Sequence, residues 1–272
     1  MKNIIRITIA CAILIMLSAC ATVPITGRKQ MNLLPSSTMA EMGFANYGEF
    51  LKTNPVSTNR SAAGQVKQVG EKISSAVEKF MKSKGMESEL KYYDWEFNLV
   101  ADKTPNAWCM PGGKVVFYEG ILPYTKDENG LAVVMGHEIA HAVARHGNER
   151  MSQQLVTQLG GMALAKAIEE KPQETQQIFM IAYGLGSQVG VMLPYSRLHE
   201  KEADRLGLIF MAMAGYNPNG AVAFWERMSK SGGAKPPEWL STHPMDETRI
   251  AEMKKNMPEA MKYYQSAAGS GK

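Results

Sequence analysis

The sequence predicts an α+β fold that is mainly helical and carries a small twisted β-sheet. One observation is an apolar periodicity of three and four residues over residues 66–80, which is typical of a helix with one buried face. Another is a pair of short runs rich in aromatic and β-branched residues, at 95–100 and 114–118, which predict two strands. Helical patterns then fill most of the chain after residue 125.

The amino-terminal half contains the predicted sheet and two of the predicted helices. Residues 20–35 are interpreted as a linker, and residues 36–50 predict a first helix. The periodic helix over residues 66–80 ends near Gly85. We therefore expect residues 20–59 to form an amino-terminal linker and helix that precede the main domain.

The carboxy-terminal half is predicted to be helical. Thr125 and Glu128 have the spacing of a capping box, which predicts a helix over residues 126–146. Further helices are predicted over residues 151–170, 173–192, 196–214 and 218–229. We expect one main domain over residues 60–262 and a flexible tail over residues 263–272.

Composition and charge exclude several classes of protein. The chain has 272 residues, of which 45% are hydrophobic and 21% are charged, as in ordinary globular proteins. Its 30 basic and 26 acidic residues are interspersed and give a formal net charge of +4. Because there is no basic block with interleaved aromatic residues, we expect no nucleic-acid partner.

The first twenty residues have the layout of a bacterial signal peptide. Two basic residues precede an apolar run over residues 7–17, which is shorter than the roughly 20 residues that a membrane span needs. The Leu-Ser-Ala sequence before Cys20 resembles a lipobox, so we expect residues 1–19 to be removed and Cys20 to carry a lipid. Because Ala21 is not Asp, we expect a lipoprotein at the periplasmic face of the outer membrane.

The chemistry of the chain is concentrated in the sequence His137-Glu-Ile-Ala-His141. Two histidines four residues apart lie about one helical turn from each other, so their imidazoles can bind one Zn²⁺ ion. Glu138 lies beside them without occupying a ligand position, where it can deprotonate a water molecule bound to the metal. The pattern therefore predicts a single catalytic zinc ion with Glu138 as the general base.

A third ligand is expected from a later helix. Glu200 and Asp204 are four residues apart and share a helical face, so one can bind zinc while the other accepts a hydrogen bond from a zinc-bound histidine. Glu202 is rotated from Glu200 by about 200° and points away from that face. We choose Glu200 as the ligand and Asp204 as its support, and we interpret Glu202 as a solvated charge.

A further histidine lies near the end of the same predicted helix. His146 is nine residues from His137, which places it about 180° away around the helix axis, so it cannot bind the same metal. We interpret His146 as a cation at the helix carboxyl terminus, where the helix dipole favours positive charge.

Four stretches of the chain together resemble metallopeptidase family forty-eight, the gluzincin peptidases. The first three cover residues 106–115, 136–147 and 196–204, and the fourth is Thr242-His-Pro244 with Arg249. The resemblance implies a zincin fold and again implies Glu200 as the third zinc ligand. It also implies that the matching His243 is near the metal, either stabilising the oxyanion or binding zinc as a fourth ligand.

The resemblance further implies how substrates bind and which proteins they are. An edge strand, expected near residues 114–118, would bind a polypeptide substrate as an added strand. The chain resembles a stand-alone lipoprotein member that hydrolyses misfolded or misassembled cell-envelope proteins, with outer-membrane assembly machinery as a further partner. The alternatives are a chaperone-like assembly factor that uses the same groove and an exported metal-binding protein, and Glu138 argues against both.

Overall fold

The computed structural model describes residues 20–230, 238–244 and 247–269; the expected signal peptide lies outside them. The strands are β1 (Cys20–Thr22), β2 (Lys29–Met31), β3 (Glu96–Val100), β4 (Ala107–Met110) and β5 (Lys114–Tyr118). The helices are α1 (Ser36–Thr53), α2 (Arg60–Ser83), α3 (Leu122–Thr125), α4 (Glu128–Val143), α5 (His146–Ala167), α6 (Gln173–Ser187), α7 (Leu193–Met213), α8 (Gly220–Lys230), α9 (Glu238–Thr242) and α10 (Glu247–Gly269). Helices predominate over two small sheets, which confirms the predicted α+β class.

The chain divides into two compact units. Unit 1 holds residues 20–35 and 145–199, and unit 2 holds the described residues of 36–144 and 200–272. The expected main domain over residues 60–262 stays a prediction. Among the described residues, no helix combines the length and the apolar character that crossing a membrane requires.

Helix α2 forms one side of the core of unit 2. Its apolar stripe, which predicted the helix, is at most 1% exposed and consists of Val66, Val69, Ile73, Val77 and Phe80. Asn59 caps the helix because its Oδ1 accepts a hydrogen bond from the backbone N–H of Ala62 at 3.1 Å. Gly85, with φ of 71°, follows the helix end as predicted.

The sheet of unit 2 differs from the prediction in one strand. Its order is β3-β5-β4, with β5 parallel to β3 and antiparallel to β4. The expectation that residues 114–118 form an edge strand is wrong, because β5 is paired on both sides. The strand that lies at the edge and packs on α4 is β4, which is only four residues long and lies within residues 106–115, the first stretch of the family resemblance.

Helix α4 is shorter than predicted at both ends. Lys126 has φ of 67°, and Asp127 rather than Thr125 caps the helix by accepting the N–H of Gly130 at 2.8 Å. At the other end Arg145 has φ of 58°, so the helix stops before it. The interpretation of His146 as a helix carboxyl-terminal cation is therefore wrong. His146 is the first residue of α5 and is fully buried in unit 1.

Helices α4 and α7 approach each other closely at a pair of glycines in unit 2. A Cβ atom on Gly207 would lie 2.9 Å from the backbone nitrogen of His137, and one on Gly136 would lie 2.8 Å from the carbonyl oxygen of Gly207. A side chain at either position would separate the helices. The glycines therefore allow the backbone of α7 to lie directly against the turn of α4 that carries His137.

Unit 1 is organised around a buried carboxylate. Residues 20–35, expected to be a linker, contain the antiparallel pair β1 and β2. Arg28 follows β1 and donates two hydrogen bonds to Glu149, at 2.8 and 2.7 Å. The Nε2 of His199 lies 2.8 Å from the same carboxylate, and its ring stacks on that of His146 at 4.2 Å. Arg28 and His199 hold the pKa of Glu149 below its usual range although burial opposes this.

Candidate metal centre

The predicted site residues come together in unit 2 from three parts of the chain. Helix α4 carries His137, Glu138 and His141, and α7 carries Glu200 and Asp204. His243 follows α9. Their convergence depends on the close approach of α4 and α7, which places two helical faces against each other.

Four side chains offer ligand atoms that lie within 4.8 Å of one another: His137, His141, Glu200 and His243. The Nε2 of His137 is 3.1 Å from the Nε2 of His141 and 3.2 Å from the Nδ1 of His243. The Oε2 of Glu200 is 3.3 Å from the Nε2 of His137 and 3.0 Å from the Nδ1 of His243. The other carboxylate oxygen of Glu200 is 3.4 Å from the Nε2 of His141.

These distances fit a small divalent ion with tetrahedral coordination. Ligand atoms about 2.0–2.1 Å from a zinc ion at the corners of a tetrahedron lie about 3.3–3.4 Å from one another. Without a cation or protons, the imidazole and carboxylate lone pairs would face each other in a buried place, which is unfavourable. Three imidazole nitrogens and one carboxylate are also a donor set that suits zinc.

Asp204 supports His137 from behind. Its Oδ1 lies 3.1 Å from the Nδ1 of His137, which is ion-pair distance, although the two atoms are not aligned for a hydrogen bond. Arg249 holds the same carboxylate with two hydrogen bonds, at 2.8 and 2.7 Å. Its Nη1 is also 3.2 Å from the Oε2 of Glu200. The guanidinium therefore orients both acids of α7.

The charges of the site perturb its titration in the metal-free protein. Burial opposes protonation of His137, but the adjacent Asp204 and Glu200 carboxylates outweigh it and raise the pKa of His137 to about 9. Burial likewise favours the neutral form of Glu200, yet the imidazoles of His141, His137 and His243 hold its pKa well below the usual range. A positive charge at this point is therefore strongly favoured, and a metal ion would provide it.

Glu138 faces a different set of partners. It is 3% exposed, and its Oε1 accepts a hydrogen bond from the indole Nε1 of Trp239 at 2.7 Å. The same oxygen is 3.5 Å from the Nε2 of His243. The carboxylate therefore lies beside the donor set without belonging to it, as the H-E-x-x-H spacing predicted.

One acid of α7 is not where the sequence indicated. Glu202 was interpreted as a solvated charge, but it is 4% exposed. Its helical phase does turn it away from Glu200, as expected, so it is absent from the donor set among the described residues. The prediction of exposure is wrong because α7 is buried on the side of Glu202 as well as on the side of Glu200.

Sequence reasoning did not assign two residues that the structure places around the site. The sequence motifs include Arg249 without giving it a role, and they do not include Trp239. Both come from segments that follow α8 along the chain. A signal for Trp239 was its position four residues before His243, one turn away if the segment is helical.

Comparison with known proteins identifies the family. A sequence model described as Peptidase family M48 matches residues 67–257, which is more than half of the chain. The chain belongs to peptidase family M48. The M48 match includes every residue of the donor set together with Glu138 and Asp204, and it confirms the family inferred from the four motifs.

Several named proteins are similar in sequence to this chain. The chain is 38% identical over 190 residues to the mitochondrial metalloendopeptidase OMA1 of Schizosaccharomyces pombe, covering 69% of this chain and 53% of that protein. It is 36% identical over 186 residues to the Saccharomyces cerevisiae protein of the same name, covering 64% and 50%. It is 32% identical over 167 residues to the beta-barrel assembly-enhancing protease of Escherichia coli, covering 58% and 33%. The chain thus spans about half the length of the first of these relatives.

Proposed function

We propose that this chain is a zinc-dependent endopeptidase that hydrolyses peptide bonds of misfolded or misassembled cell-envelope proteins. The observation that carries the proposal is the buried Glu138 carboxylate beside the four-atom donor set. A site that only stores metal does not need an acid that binds no metal at this position. Membership of M48 and the names of the relatives support the same reaction.

Each side chain of the site has a separate proposed role in hydrolysis. A zinc ion held by His137, His141 and Glu200 would supply Lewis acidity, which lowers the pKa of water and polarises a carbonyl group. Glu138 accepts a proton from the attacking water on one carboxylate oxygen. It then donates that proton to the amine nitrogen of the peptide bond that breaks. Asp204 keeps the imidazole of His137 oriented through the reaction.

The edge strand β4 is the proposed binding surface for the substrate backbone. On the side away from β5, no described strand pairs with β4. A polypeptide added there would form backbone hydrogen bonds that do not depend on its side chains. Because β4 packs on α4, this arrangement would bring the backbone of the substrate to the helix that carries Glu138.

The proposed location is the periplasmic face of the outer membrane, with a lipid on Cys20. The lipobox-like sequence before Cys20 supports the lipid anchor. The outer membrane is supported by two bacterial relatives, one named a beta-barrel assembly-enhancing protease and the other a putative one. The test is Cys20→Ser in a bacterial host. We expect the processed variant to move from washed membranes into the soluble periplasmic fraction, whereas its retention in membranes would contradict a lipid anchor.

The activity is tested with the variant Glu138→Gln and unfolded casein as substrate. This change removes the general base but leaves His137, His141 and Glu200, so zinc content and melting temperature should change little. Cleavage should fall by about 10²- to 10⁴-fold, which is the usual contribution of a positioned proton-transfer group. Chelation should abolish cleavage by the wild type, and added zinc should restore it.

The chaperone alternative makes a different prediction in cells. A holding factor would use the groove without Glu138, so Glu138→Gln would complement a deletion strain as well as the wild type does. We expect it to fail, and to accumulate bound envelope proteins that proteomics can identify. Full complementation, together with zinc-loaded protein that is inactive both as the wild type and as the variant His243→Ala, would overturn the peptidase proposal.

A further inference from the structure

The indole of Trp239 contacts the proposed general base directly. Its Nε1 is 2.7 Å from the Oε1 of Glu138, and Trp239 is fully buried. An indole N–H can only donate, so Glu138 must accept through this oxygen. The distance is at the short end of N–H···O hydrogen bonds.

The ring of Trp239 is held in place by an ordered stack. It lies against Trp225 with ring centroids 4.8 Å apart and an interplanar angle of 16°. The guanidinium of Arg249 covers Trp225 at 4.4 Å and is itself fixed by its paired hydrogen bonds to Asp204. The stack therefore links the donor of Glu138 to the acid that supports a proposed metal ligand.

The backbone of Trp239 is anchored as well. Its N–H donates to the carbonyl oxygen of Pro105 at 3.0 Å, two residues before β4 begins, and its carbonyl accepts from the N–H of His243 at 2.9 Å. The indole is thus restrained at both its ring and its main chain. A donor fixed in this way can orient a flexible glutamate rather than follow it.

We propose that Trp239 is a positioning residue for Glu138. Its N–H holds Oε1, which leaves Oε2 to accept the proton of the attacking water. Without this donor, the carboxylate could turn toward the Nε2 of His243, which lies 3.5 Å from the same oxygen. This inference rests on the proposed peptidase function, and it gives Glu138 one oxygen for orientation and one for proton transfer.

The sharpest test replaces Trp239 with 3-benzothienylalanine, which has the shape of tryptophan but carries sulfur in place of the N–H. Zinc content, melting temperature and KM should stay unchanged. The kcat for a peptide substrate should fall by about 10- to 100-fold, because misplaced catalytic groups lose rate without losing binding. An unchanged kcat, or an increased one, would overturn the proposal.

Trp95 offers a matched control. Its Nε1 donates to the Oε1 of Glu78 at 3.1 Å, so it makes the same kind of hydrogen bond next to β3, at the other edge of the sheet from β4. The same replacement at Trp95 should leave kcat within about twofold of the wild type, since no transition-state contact is lost. A comparable loss of kcat from both replacements would mean a general structural effect and would overturn the specific role.

A second measurement does not depend on activity. In ¹⁵N-tryptophan-labelled protein, Glu138→Gln should shift the indole resonance of Trp239 and leave that of Trp95 in place, both with and without zinc. Glu78→Gln should do the reverse. A Trp239 resonance that does not move in Glu138→Gln would overturn the inference even in an active enzyme. Zinc-loaded protein that shows the expected shifts, but is inactive both as the wild type and as His243→Ala, would overturn only the proposed function.

Discussion

Glu200 and Glu202 lie two residues apart in α7 and are both buried, yet only Glu200 contributes an atom to the donor set. We expect Glu200→Gln to lose most of its zinc, because a neutral amide oxygen is a poor replacement for a carboxylate ligand. Glu202→Gln should keep about one zinc per folded chain. Elemental analysis measures the zinc content of the two variants, and circular dichroism ensures that they are compared at the same folded fraction. Zinc loss in Glu202→Gln but not in Glu200→Gln would refute the ligand assignment.

His243 combines two contacts that imply different roles. Its Nδ1 is in the donor set, while its Nε2 approaches Glu138. At 12%, its side chain is also the most exposed of the four donors, so it can leave the metal most easily. We therefore expect His243 to close the resting site as a fourth ligand.

The variant His243→Ala separates these roles. If His243 closes the site, the substitution should leave zinc bound by three ligands and raise casein cleavage several-fold, because a coordination position becomes open. Cleavage is measured with zinc-loaded protein at equal concentrations. A fall in kcat of about 10²-fold or more would instead show that His243 stabilises the oxyanion.

At the scale of secondary-structure elements, the site depends on the close approach of α4 and α7. Gly207→Ala would place a Cβ atom 2.9 Å from the backbone nitrogen of His137, and backbone there cannot move aside cheaply. We expect a loss of about 1–3 kcal/mol in the free energy of unfolding and weaker zinc binding, because the two ligand-bearing helices move apart.

Gly64→Ala is the matched control for this substitution. Gly64 lies in α2, and a Cβ atom there would have nothing within 4 Å. Because alanine favours a helix over glycine, stability should rise by about 0.5–1 kcal/mol and zinc affinity should not change. Denaturation curves and competition with a zinc chelator measure both effects. Equal behaviour of the two variants would show that the contact between α4 and α7 is not tight.

Elements with strong local periodicity were predictable, and those defined by tertiary pairing were not. The apolar stripe of α2 predicts its helix, because the buried face of a helix needs an apolar residue at every third or fourth position. Strand β4 has only four residues and becomes a strand by pairing with β5, so alternation within it carries little information. The Thr125 capping box is wrong because Lys126 has a positive φ of 67°, which interrupts the helix there and moves the cap to Asp127.

At the scale of the whole molecule, the same distinction explains which site residues could be foreseen. Helical phase alone pairs His137 with His141 and Glu200 with Asp204, since each pair lies within one turn. Arg249 and Trp239 reach the site from far along the chain, and no spacing rule connects them to α4. The burial of His146 and Glu202 also depends on neighbours that are distant in sequence, so local polarity gave the wrong answer for both.

Removing the metal should make the stability of the whole molecule depend on pH in a defined way. In the metal-free protein the pKa of His137 is raised from its ordinary value of 6.5 to about 9. The protonated imidazole therefore stabilises the folded state fully below pH 6.5, and this contribution is lost as the pH rises through 9. With zinc bound, His137 is unprotonated throughout, so the loss does not occur.

We therefore expect the melting temperature of chelator-treated protein to fall by several degrees between pH 6.5 and pH 9.5 relative to that of zinc-loaded protein. Asp204→Asn should flatten the curve of the metal-free protein, because the Asp204 carboxylate contributes to the raised pKa of His137. Differential scanning calorimetry of both forms over this range measures the gap between them. A difference in melting temperature that stays constant with pH would contradict this prediction. It would show that the buried carboxylates do not keep His137 protonated in the metal-free protein, so that zinc does not take the place of a proton there.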